Sequence, residues 1–188
     1  MAIDPDNGNP FFQFAFGSRG PTVNAASPLM LDESHLFLTA SYGVGAYYTE
    51  VGILGAKPIW DKDGLLSSQY TTPIEDQGLL YGIHGREDGP PADLVCIDPR
   101  LVKQSTNAAA LKWTEQSFGY ATLIKADGKL LCVKTNGELV LVRISDAKFD
   151  SLGRAKLATG TIRALPALAN GHLYVRNESR LFCYDLGR

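Results

Sequence analysis

The residues best suited to chemistry in this 188-residue chain are its histidines and cysteines, and their spacing supports no catalytic or metal-binding motif. Cys96, Cys132 and Cys183 lie far apart, whereas zinc sites and haem attachment use closely spaced cysteines. Each lies in an apolar run, so we expect all three to be buried as small hydrophobic side chains. No local Ser-His-Asp or Cys-His arrangement indicates a nucleophile. We therefore predict no catalytic and no metal-binding residue.

One segment offers candidates for ligand contact. His84 and Arg86 open the Gly/Pro-rich segment 84–93, which is the longest insertion between a second and a third strand of the units described below. Tyr42 and Tyr70 are aromatic side chains that could stack on a ligand. We predict ligand binding at Tyr42, Tyr70, His84 and Arg86. The alternative is that segment 84–93 is an ordinary solvated loop.

Composition excludes several classes of function. Apolar residues make up 45% of the chain and charged residues 20%, which is typical of a globular protein. The formal net charge of -2 argues against a protein that binds the phosphate backbone of nucleic acids. No apolar run approaches the roughly 18 residues that cross a bilayer. The residues after Met1 lack a basic start and an apolar run, so no signal peptide is predicted.

Short apolar runs separated by turn pairs predict an all-β fold. Asp127-Gly128, Asn136-Gly137 and Asn170-Gly171 each lie between two such runs. These pairs favour two-residue hairpin turns, in which both central residues adopt positive φ. His35 and His172 both come at the start of a second strand and are expected to be ordinary hairpin residues.

One pattern occurs four times at a period of about 45 residues, which indicates the blades of a β-propeller. Each unit begins with a small or hydroxyl residue and a short apolar strand, followed by a polar turn, a second strand and a third strand. A fourth strand follows in three of the units. In the third unit it is predicted at 155–158. The small residues of the first strands suit a crowded axis, so we expect these strands to face inward. They are predicted at 27–31, 72–75, 121–125 and 165–169.

Residues at the ends of these units resemble a known repeat. At the start of the chain, Ala2-Ile3-Asp4 is followed by Gly8. Asp98 and Asp185 recur after third strands, and Trp60 and Trp113 end fourth strands. This resembles the Ala-x-Asp-x-x-x-Gly-x-x-x-Trp pattern of the pyrroloquinoline-quinone (PQQ) type propeller repeat. That repeat is found in bacterial quinoprotein dehydrogenases and in the propeller lipoprotein of outer-membrane β-barrel assembly. The resemblance implies an exported or periplasmic protein.

The same resemblance does not carry the dehydrogenase activity to this chain. Quinoprotein dehydrogenases hold their cofactor with two adjacent cysteines, a stacking Trp and a calcium ion, and no Cys-Cys pair is present here. We therefore predict no cofactor. Trp60 and Trp113 are expected to pack between blades, and Asp4, Asp98 and Asp185 to make turns with their own downstream backbone.

We expect one propeller segment spanning 1–188, with blades at about 24–60, 71–113, 120–158 and 163–188 plus an N-terminal strand. The ends leave two alternatives open. If 11–16 pairs with 181–184, the four blades close into a ring. If they do not pair, the chain is an open arc, which we favour because relatives of this repeat usually have about eight blades and the chain would be a C-terminal half. An open arc could self-associate through its exposed end blades.

These features predict a non-catalytic scaffold or binding module that presents its loop face to a protein or a small ligand. One alternative is a part of a quinoprotein-like dehydrogenase whose cofactor residues lie outside this chain. Another is a carbohydrate-binding propeller, for which exposed tyrosines would stack on sugar rings; the candidates are Tyr42, Tyr47, Tyr48 and Tyr70.

Overall fold

A computed structural model describes residues 1–17, 23–62, 64–102 and 109–187. Over these residues the chain is all-β, with antiparallel sheets, one short 3₁₀ helix at Pro99–Leu101 and no α-helix. No helix in the described part is long and apolar enough to cross a membrane.

The chain begins with a hairpin of two short strands and continues with four separate antiparallel sheets. The N-terminal hairpin pairs β1 (Ala2–Ile3) with β2 (Pro10–Phe12). The first blade contains β3 (Leu29–Met30), β4 (His35–Ala40), β5 (Gly45–Gly52) and β6 (Gly55–Lys62). The second contains β7 (Ile74–Asp76), β8 (Leu79–His84), β9 (Asp93–Ile97) and β10 (Leu111–Glu115).

The third blade contains β11 (Ala121–Ala126), β12 (Lys129–Lys134), β13 (Glu138–Arg143) and β14 (Ser151–Lys156). The last blade has three strands, β15 (Ala167–Ala169), β16 (His172–Arg176) and β17 (Leu181–Asp185). In all four blades the strands lie in chain order from one edge of the sheet to the other.

Hydrogen bonds made by residues in or just before the first strands join neighbouring blades along that edge. The Ser27 backbone N–H donates to Thr72 Oγ1 at 2.8 Å, which joins the first and second blades. Thr71 Oγ1 donates to the Ala121 carbonyl at 2.7 Å, which joins the second and third. Sheets that meet along their first strands and pack face to face form a propeller arc. The structure therefore confirms the predicted fold class, an all-β partial propeller.

Each pair of neighbouring blades encloses its own apolar core. Between the first and second blades, Phe37 and Tyr48 pack toward Leu80 and Ile97. The second and third blades, and then the third and last, enclose two further clusters of buried side chains. Alternation along each strand explains this arrangement, because successive side chains point to opposite faces of a sheet. Interior blades therefore have two apolar faces.

The two tryptophans lie in these interfaces, as predicted. Trp60 and Trp113 are each 8% exposed. Trp60 Nε1 donates to the Pro99 carbonyl of the second blade at 2.8 Å, and Trp113 Nε1 donates to the Ser145 carbonyl of the third at 2.8 Å. Each indole thus fills the space between two blades and satisfies its one polar atom there.

The repeated aspartates make the predicted turns. Asp4 Oδ1 accepts the backbone N–H of the residue two positions later at 2.9 Å, Asp98 Oδ1 does so at 3.1 Å, and Asp185 Oδ1 at 2.9 Å. Each carboxylate replaces a backbone acceptor in the turn, which is the Asx-turn geometry.

Two of the three predicted turn pairs have the expected backbone. Both residues of Asp127-Gly128 and of Asn170-Gly171 have positive φ. In Asn136-Gly137 only the glycine does, so that prediction was wrong for Asn136. Asn136 instead uses its side-chain oxygen to accept the Glu138 backbone N–H at 3.0 Å. A longer turn of this kind needs only one residue in the left-handed region.

The two ends of the chain do not pair with each other. Within the described residues, β2 pairs only with β1, and β17 pairs only with β16. The closed four-bladed ring is therefore contradicted and the arc is open. The N-terminal hairpin instead lies against the first blade, where Phe14 stacks on Tyr47 with ring centroids 5.6 Å apart.

Two further expectations were wrong. Cys96 and Cys132 are buried, but Cys183 is exposed on the side of the last sheet that faces away from the third blade. The fourth strand of the third blade is Ser151–Lys156 rather than 155–158, and all six of its residues are exposed. It lacks apolar alternation, so its burial pattern could not be recognised in the sequence.

Candidate functional site

Three connections bring the predicted ligand-binding residues together on one face of the arc. Tyr42 lies in the turn between β4 and β5, and Tyr70 in the connection between β6 and β7. His84 ends β8, and Arg86 lies in the loop that leads to β9. Residues from the first and second blades therefore meet. We call the group Tyr42, Gln69, Tyr70, Arg86, Glu87, Asp88 and Arg163 the loop-face cluster.

Tyr42 is the centre of one half of this cluster. Its hydroxyl accepts from Gln69 Nε2 at 2.9 Å and donates to Asp88 Oδ2 at 3.1 Å. The Arg86 guanidinium carbon lies 4.6 Å from the centroid of the Tyr42 ring, and Arg86 Nε lies 3.6 Å from Asp88 Oδ1. A cation over an aromatic face with a nearby carboxylate is a favourable arrangement. These contacts fix the side chains before any partner arrives.

The backbone at Tyr42 is unusual. Its φ of 61° lies in the left-handed region, which a bulky side chain rarely adopts. Tyr42 and Gly43 both have positive φ and form the two-residue hairpin turn between β4 and β5, in which the Val44 backbone N–H donates to the Ser41 carbonyl at 3.3 Å. This turn places the Tyr42 side chain next to Gln69, Arg86 and Asp88.

Glu87 is the centre of the other half. Its Oε2 accepts from the Tyr70 hydroxyl at 2.9 Å, and its two carboxylate oxygens accept from Arg163 Nε at 2.9 and 3.0 Å. Burial, and then the acceptor and charge of Glu87, raise the pKa of Tyr70, so its hydroxyl stays protonated and remains a donor. Arg163 lies in the connection to the last blade, so the second and last blades are tied across this face.

His84 holds in place a connection that carries two residues of the cluster. Its Nδ1 accepts the Ser67 backbone N–H at 3.0 Å, which fixes the connection that carries Gln69 and Tyr70. Tyr120 has a similar role, because its hydroxyl accepts the Tyr70 backbone N–H at 2.7 Å. Both side chains hold the shape of the loops.

Two of the four tyrosines proposed for sugar stacking lie elsewhere. Tyr48 is 5% exposed between the first and second blades, and Tyr47 is half-buried under Phe14 and Phe16. Tyr42 and Tyr70 are themselves half-buried and each already has a neighbour on its ring, Arg86 and Tyr120 respectively. The expectation of four exposed tyrosines was wrong.

Sequence reasoning missed Gln69, Glu87, Asp88 and Arg163. Glu87 and Asp88 belong to the loop singled out above, and Gln69 is next to Tyr70, so proximity was the only signal for these three. Arg163 had none, because it reaches Glu87 from a connection far along the chain.

Glu87 and Asp88 are the two carboxylates of the loop-face cluster. In the described part of the chain, no three His, Cys, Asp or Glu side chains are grouped so that they could hold a metal ion. The carboxylates of Glu87 and Asp88 accept from tyrosine, arginine and glutamine donors within the cluster. A set of polar groups fixed in this way can present a rigid pattern of charge to a partner.

The Asn177-Glu178-Ser179 triplet matches a glycosylation acceptor in sequence only. Asn177 is 9% exposed, and its Nδ2 donates to the Thr159 carbonyl at 2.9 Å. Its side-chain oxygen accepts from the Ser179 and Arg180 backbone N–H groups. Asn177 therefore closes a hairpin.

No protein-family model matches the chain, and no curated protein matches it. Among solved structures, a europium-containing methanol dehydrogenase is similar over 61% of this chain at 16% sequence identity and a TM-score of 0.43. A glutaminyl cyclase from Myxococcus xanthus is similar over 88% of this chain at 17% identity and a TM-score of 0.48. The similar region spans 22% of the dehydrogenase chain and 68% of the cyclase chain. The activities in these names belong to those proteins.

Proposed function

We propose that this chain is a non-catalytic binding module that recognises a protein partner through its loop-face cluster. One observation supports this above all: side chains from three separate connections hold one another, with Tyr42 between Gln69, Arg86 and Asp88. Fixed Tyr and Arg side chains are the residue types that contribute most to protein–protein binding.

The side chains of Arg86, Asp88 and Arg163 are 36%, 59% and 70% exposed, so a protein surface can reach them. A partner that lies across the face can contact Arg86 and Arg163 without entering a cavity. The two arginines lie beside Asp88 and Glu87, so the face offers both signs of charge.

Binding through this face is tested with an arginine substitution and a matched control. A partner isolated with the immobilised chain is purified and its affinity measured by calorimetry for the wild type, Arg86→Ala and Arg154→Ala. Arg154 is an exposed arginine on β14 that does not belong to the loop-face cluster; its guanidinium pairs with Glu138. We expect Arg86→Ala to weaken binding by about 30-fold, the effect of losing an arginine hot spot, and Arg154→Ala to leave it unchanged.

Equal affinities for all three proteins would refute the loop-face proposal. Titration with soluble oligosaccharides gives a second outcome. Binding of a sugar that Arg86→Ala abolishes would replace the protein partner with the carbohydrate alternative, and would also refute the proposal. The dehydrogenase alternative requires cofactor residues that this chain does not contain.

We also propose that the chain self-associates through its end blades, which supports a scaffold role. The observation in favour is that the side of the last sheet away from the third blade exposes Leu181 (69%) and Tyr174 (37%), beside the polar side chains of His172, Arg176 and Asp185.

A further inference from the structure

Strand β8 has the loop-face cluster at one end and a polar cavity at the other. It ends at His84, which holds a connection of the cluster, and it begins at Leu79, which lines the cavity. The cavity encloses about 510 Å³. Small-molecule sites usually enclose about 300–1,000 Å³, so a small ligand fits here.

We call this space the inter-blade cavity, because the second and third blades both line it. The second blade contributes the turn between β7 and β8, the end of β9 and the strand β10, and the third contributes the connection between β13 and β14. The polar side chains on which the argument depends are Asp76, Tyr81, Asp98, Arg100, Lys112 and Asp146.

The hydroxyl of Tyr81 is a buried polar group that has no hydrogen-bond partner among the described residues. Tyr81 as a whole is 0% exposed. Nearly all buried hydroxyls in proteins are bonded, because burial without a partner costs free energy. An exception in the wall of a cavity indicates that the partner comes from outside the chain.

The charges around Tyr81 show that its hydroxyl end lies toward the cavity. Burial is the largest cause that raises the pKa of Tyr81, and the neighbouring Cys96 thiol is the next. Asp76 and Asp146 raise this pKa further, and both carboxylates line the cavity. The hydroxyl therefore stays protonated at neutral pH and can donate a hydrogen bond.

Two carboxylates of the cavity wall already have a cationic partner. Arg100 Nε and Nη2 donate to the Asp98 carboxylate at 2.8 and 2.9 Å. Lys125 Nζ, from β11 of the third blade, lies 2.5 Å from Asp76 Oδ1. These two pairs neutralise their own charges and fix the shape of the wall.

Lys112 and Asp146 are the charged groups of the wall that are not paired in this way. In the part of the chain that the structure describes, neither side chain makes a hydrogen bond or an ion pair, with the other or with a third group. Lys112 lies on β10, and Asp146 lies between β13 and β14. One cavity thus presents a free ammonium group, a free carboxylate and a buried hydroxyl.

We propose that the inter-blade cavity binds a small zwitterion, namely an α-amino acid. The Asp146 carboxylate accepts from the ammonium group of the ligand, and Lys112 donates to its carboxylate. The Tyr81 hydroxyl donates to the same carboxylate, which gives it a partner. A simple cation or anion would use only one of the two free charges, and a neutral sugar would use neither.

The first experiment screens the full chain against the free L-amino acids, each at about 5 mM, a concentration that detects millimolar affinity. Trp113 is the reporter, because its ring centroid lies 5.9 Å from that of Tyr81 and its fluorescence responds to a change there. We expect at least one amino acid to bind. Calorimetry then compares it with its carboxamide and its N-acetyl derivative, which should each bind about 10-fold more weakly or worse.

Charge substitutions test which group of the ligand each residue contacts. Asp146→Asn and Lys112→Gln should each weaken binding of the amino acid by about 10-fold. Asp146→Asn should leave the weak binding of the N-acetyl derivative unchanged, and Lys112→Gln should do the same for the carboxamide. Asp6→Asn is the matched control, at an exposed aspartate that does not line the cavity, and should bind like the wild type.

Tyr81→Phe removes only the hydroxyl and separates binding from stability. The free chain should keep or raise its melting temperature, because no internal hydrogen bond is lost. Binding of the amino acid should weaken by about 10-fold, since a hydrogen bond to a charged group is lost. A lower melting temperature with unchanged binding would show that the hydroxyl acts inside the chain, and would overturn its role in the site.

Three other outcomes would overturn the proposal. They are a failure of every amino acid to bind, binding that persists in both charge variants, and binding of a neutral sugar without binding of an amino acid. The site is independent of the loop-face cluster. Arg86→Ala should therefore bind the amino acid like the wild type, and Asp146→Asn should keep its affinity for a loop-face partner.

Discussion

The first two blade interfaces and the last one hold their sheets together by different means. Trp60 and Trp113 each fill an interface at its outer part and donate to a carbonyl of the following blade. The interface between the third and last blades contains no tryptophan. There the hydroxyl of Tyr184 donates in the reverse direction, to the Leu157 carbonyl of the preceding connection.

The packing around these groups differs accordingly. The interface of Trp113 also contains Tyr81, Phe118 and Phe149. In the last interface the fully buried side chains are smaller, such as Leu131, Val133 and Leu173, and Phe182 and Tyr184 are only partly buried against them. The outer strand β14 adds little, since its residues are exposed. Buried aromatic rings contribute the most apolar area per residue. The arc is therefore expected to be most stable near its second blade and least stable at its last.

Replacing the tryptophans should have the largest effect. Trp113→Ala and Trp60→Ala should each lower the free energy of unfolding by about 3 to 5 kcal/mol, because each leaves a large cavity and an unpaired carbonyl. Urea denaturation measures this. Leu152→Ala, which removes a partly exposed side chain from β14, should change stability by less than about 0.5 kcal/mol. A loss under about 1 kcal/mol for both tryptophans would mean that these interfaces are not held by the indoles.

Replacing the aspartates of the turns should have the next largest effect on stability, and a larger one at Asp98 than at Asp185. Asp98 is 6% exposed, and its hydrogen bond with Arg100 lowers the pKa of the Asp98 carboxyl. The turn also positions Pro99, whose carbonyl accepts from Trp60. Asp98→Asn should cost about 1 to 2 kcal/mol at pH 7. Asp185→Asn, in the exposed turn of the last blade, should cost less than about 0.5 kcal/mol.

The sign of the pH dependence follows from the lowered pKa. A carboxyl whose pKa is lower in the folded state than in the unfolded state makes its full contribution to stability at pH values above its unfolded-state pKa, which is near 4. This contribution is lost as the pH falls through the folded-state pKa. The difference between wild type and Asp98→Asn should therefore shrink below about pH 4. Urea titrations at pH 7, 4 and 2.5 measure it, and a constant difference would contradict the role given to the Asp98 charge.

The hydroxyl of Tyr184 should have a smaller effect. Tyr184→Phe removes the bond to the Leu157 carbonyl and keeps the ring, so it should cost about 1 kcal/mol. Tyr174→Phe is the matched control on the exposed side of the same sheet and should cost nothing measurable in the monomer. Hydrogen exchange reports the effect locally, as faster exchange in β15–β17 of the Tyr184 variant. Faster exchange in β7–β10 instead would show that the last blade is not a separate unit of stability.

The smallest expected effect is a gain. Gly153 lies in β14 without positive φ, and a Cβ there would meet nothing within 4 Å. Gly153→Ala should raise stability by about 0.5 kcal/mol, because alanine loses less chain entropy on folding. Gly137→Ala is the contrast: Gly137 has a φ of 88°, and a Cβ would collide with the Ala158 carbonyl oxygen. It should be destabilising by more than Gly153→Ala stabilises, as measured by thermal melting.

The sequence by itself determined the repeat and the residues that act within or next to one strand pair. The period of the four units, the turns at Asp98 and Asp185, and the positive φ of Asp127-Gly128 follow from neighbours in the chain. The burial of Trp60 and Trp113 could be predicted too, because a large apolar residue at the same place in two units meets a similar surface in both. Local geometry and a repeated pattern are sufficient for such features.

Only the tertiary structure decided how the units meet and where they stop meeting. Arg163 reaches Glu87 from another blade, and no spacing along the chain encodes that distance. Cys183 and Cys96 lie in equivalent positions of the last and second blades, yet Cys183 is exposed, whereas Cys96 is buried against the third blade. The alternation of apolar and polar residues along a strand indicates which side chains share an apolar face. Whether that face is covered depends on a second sheet, and therefore on the fold as a whole.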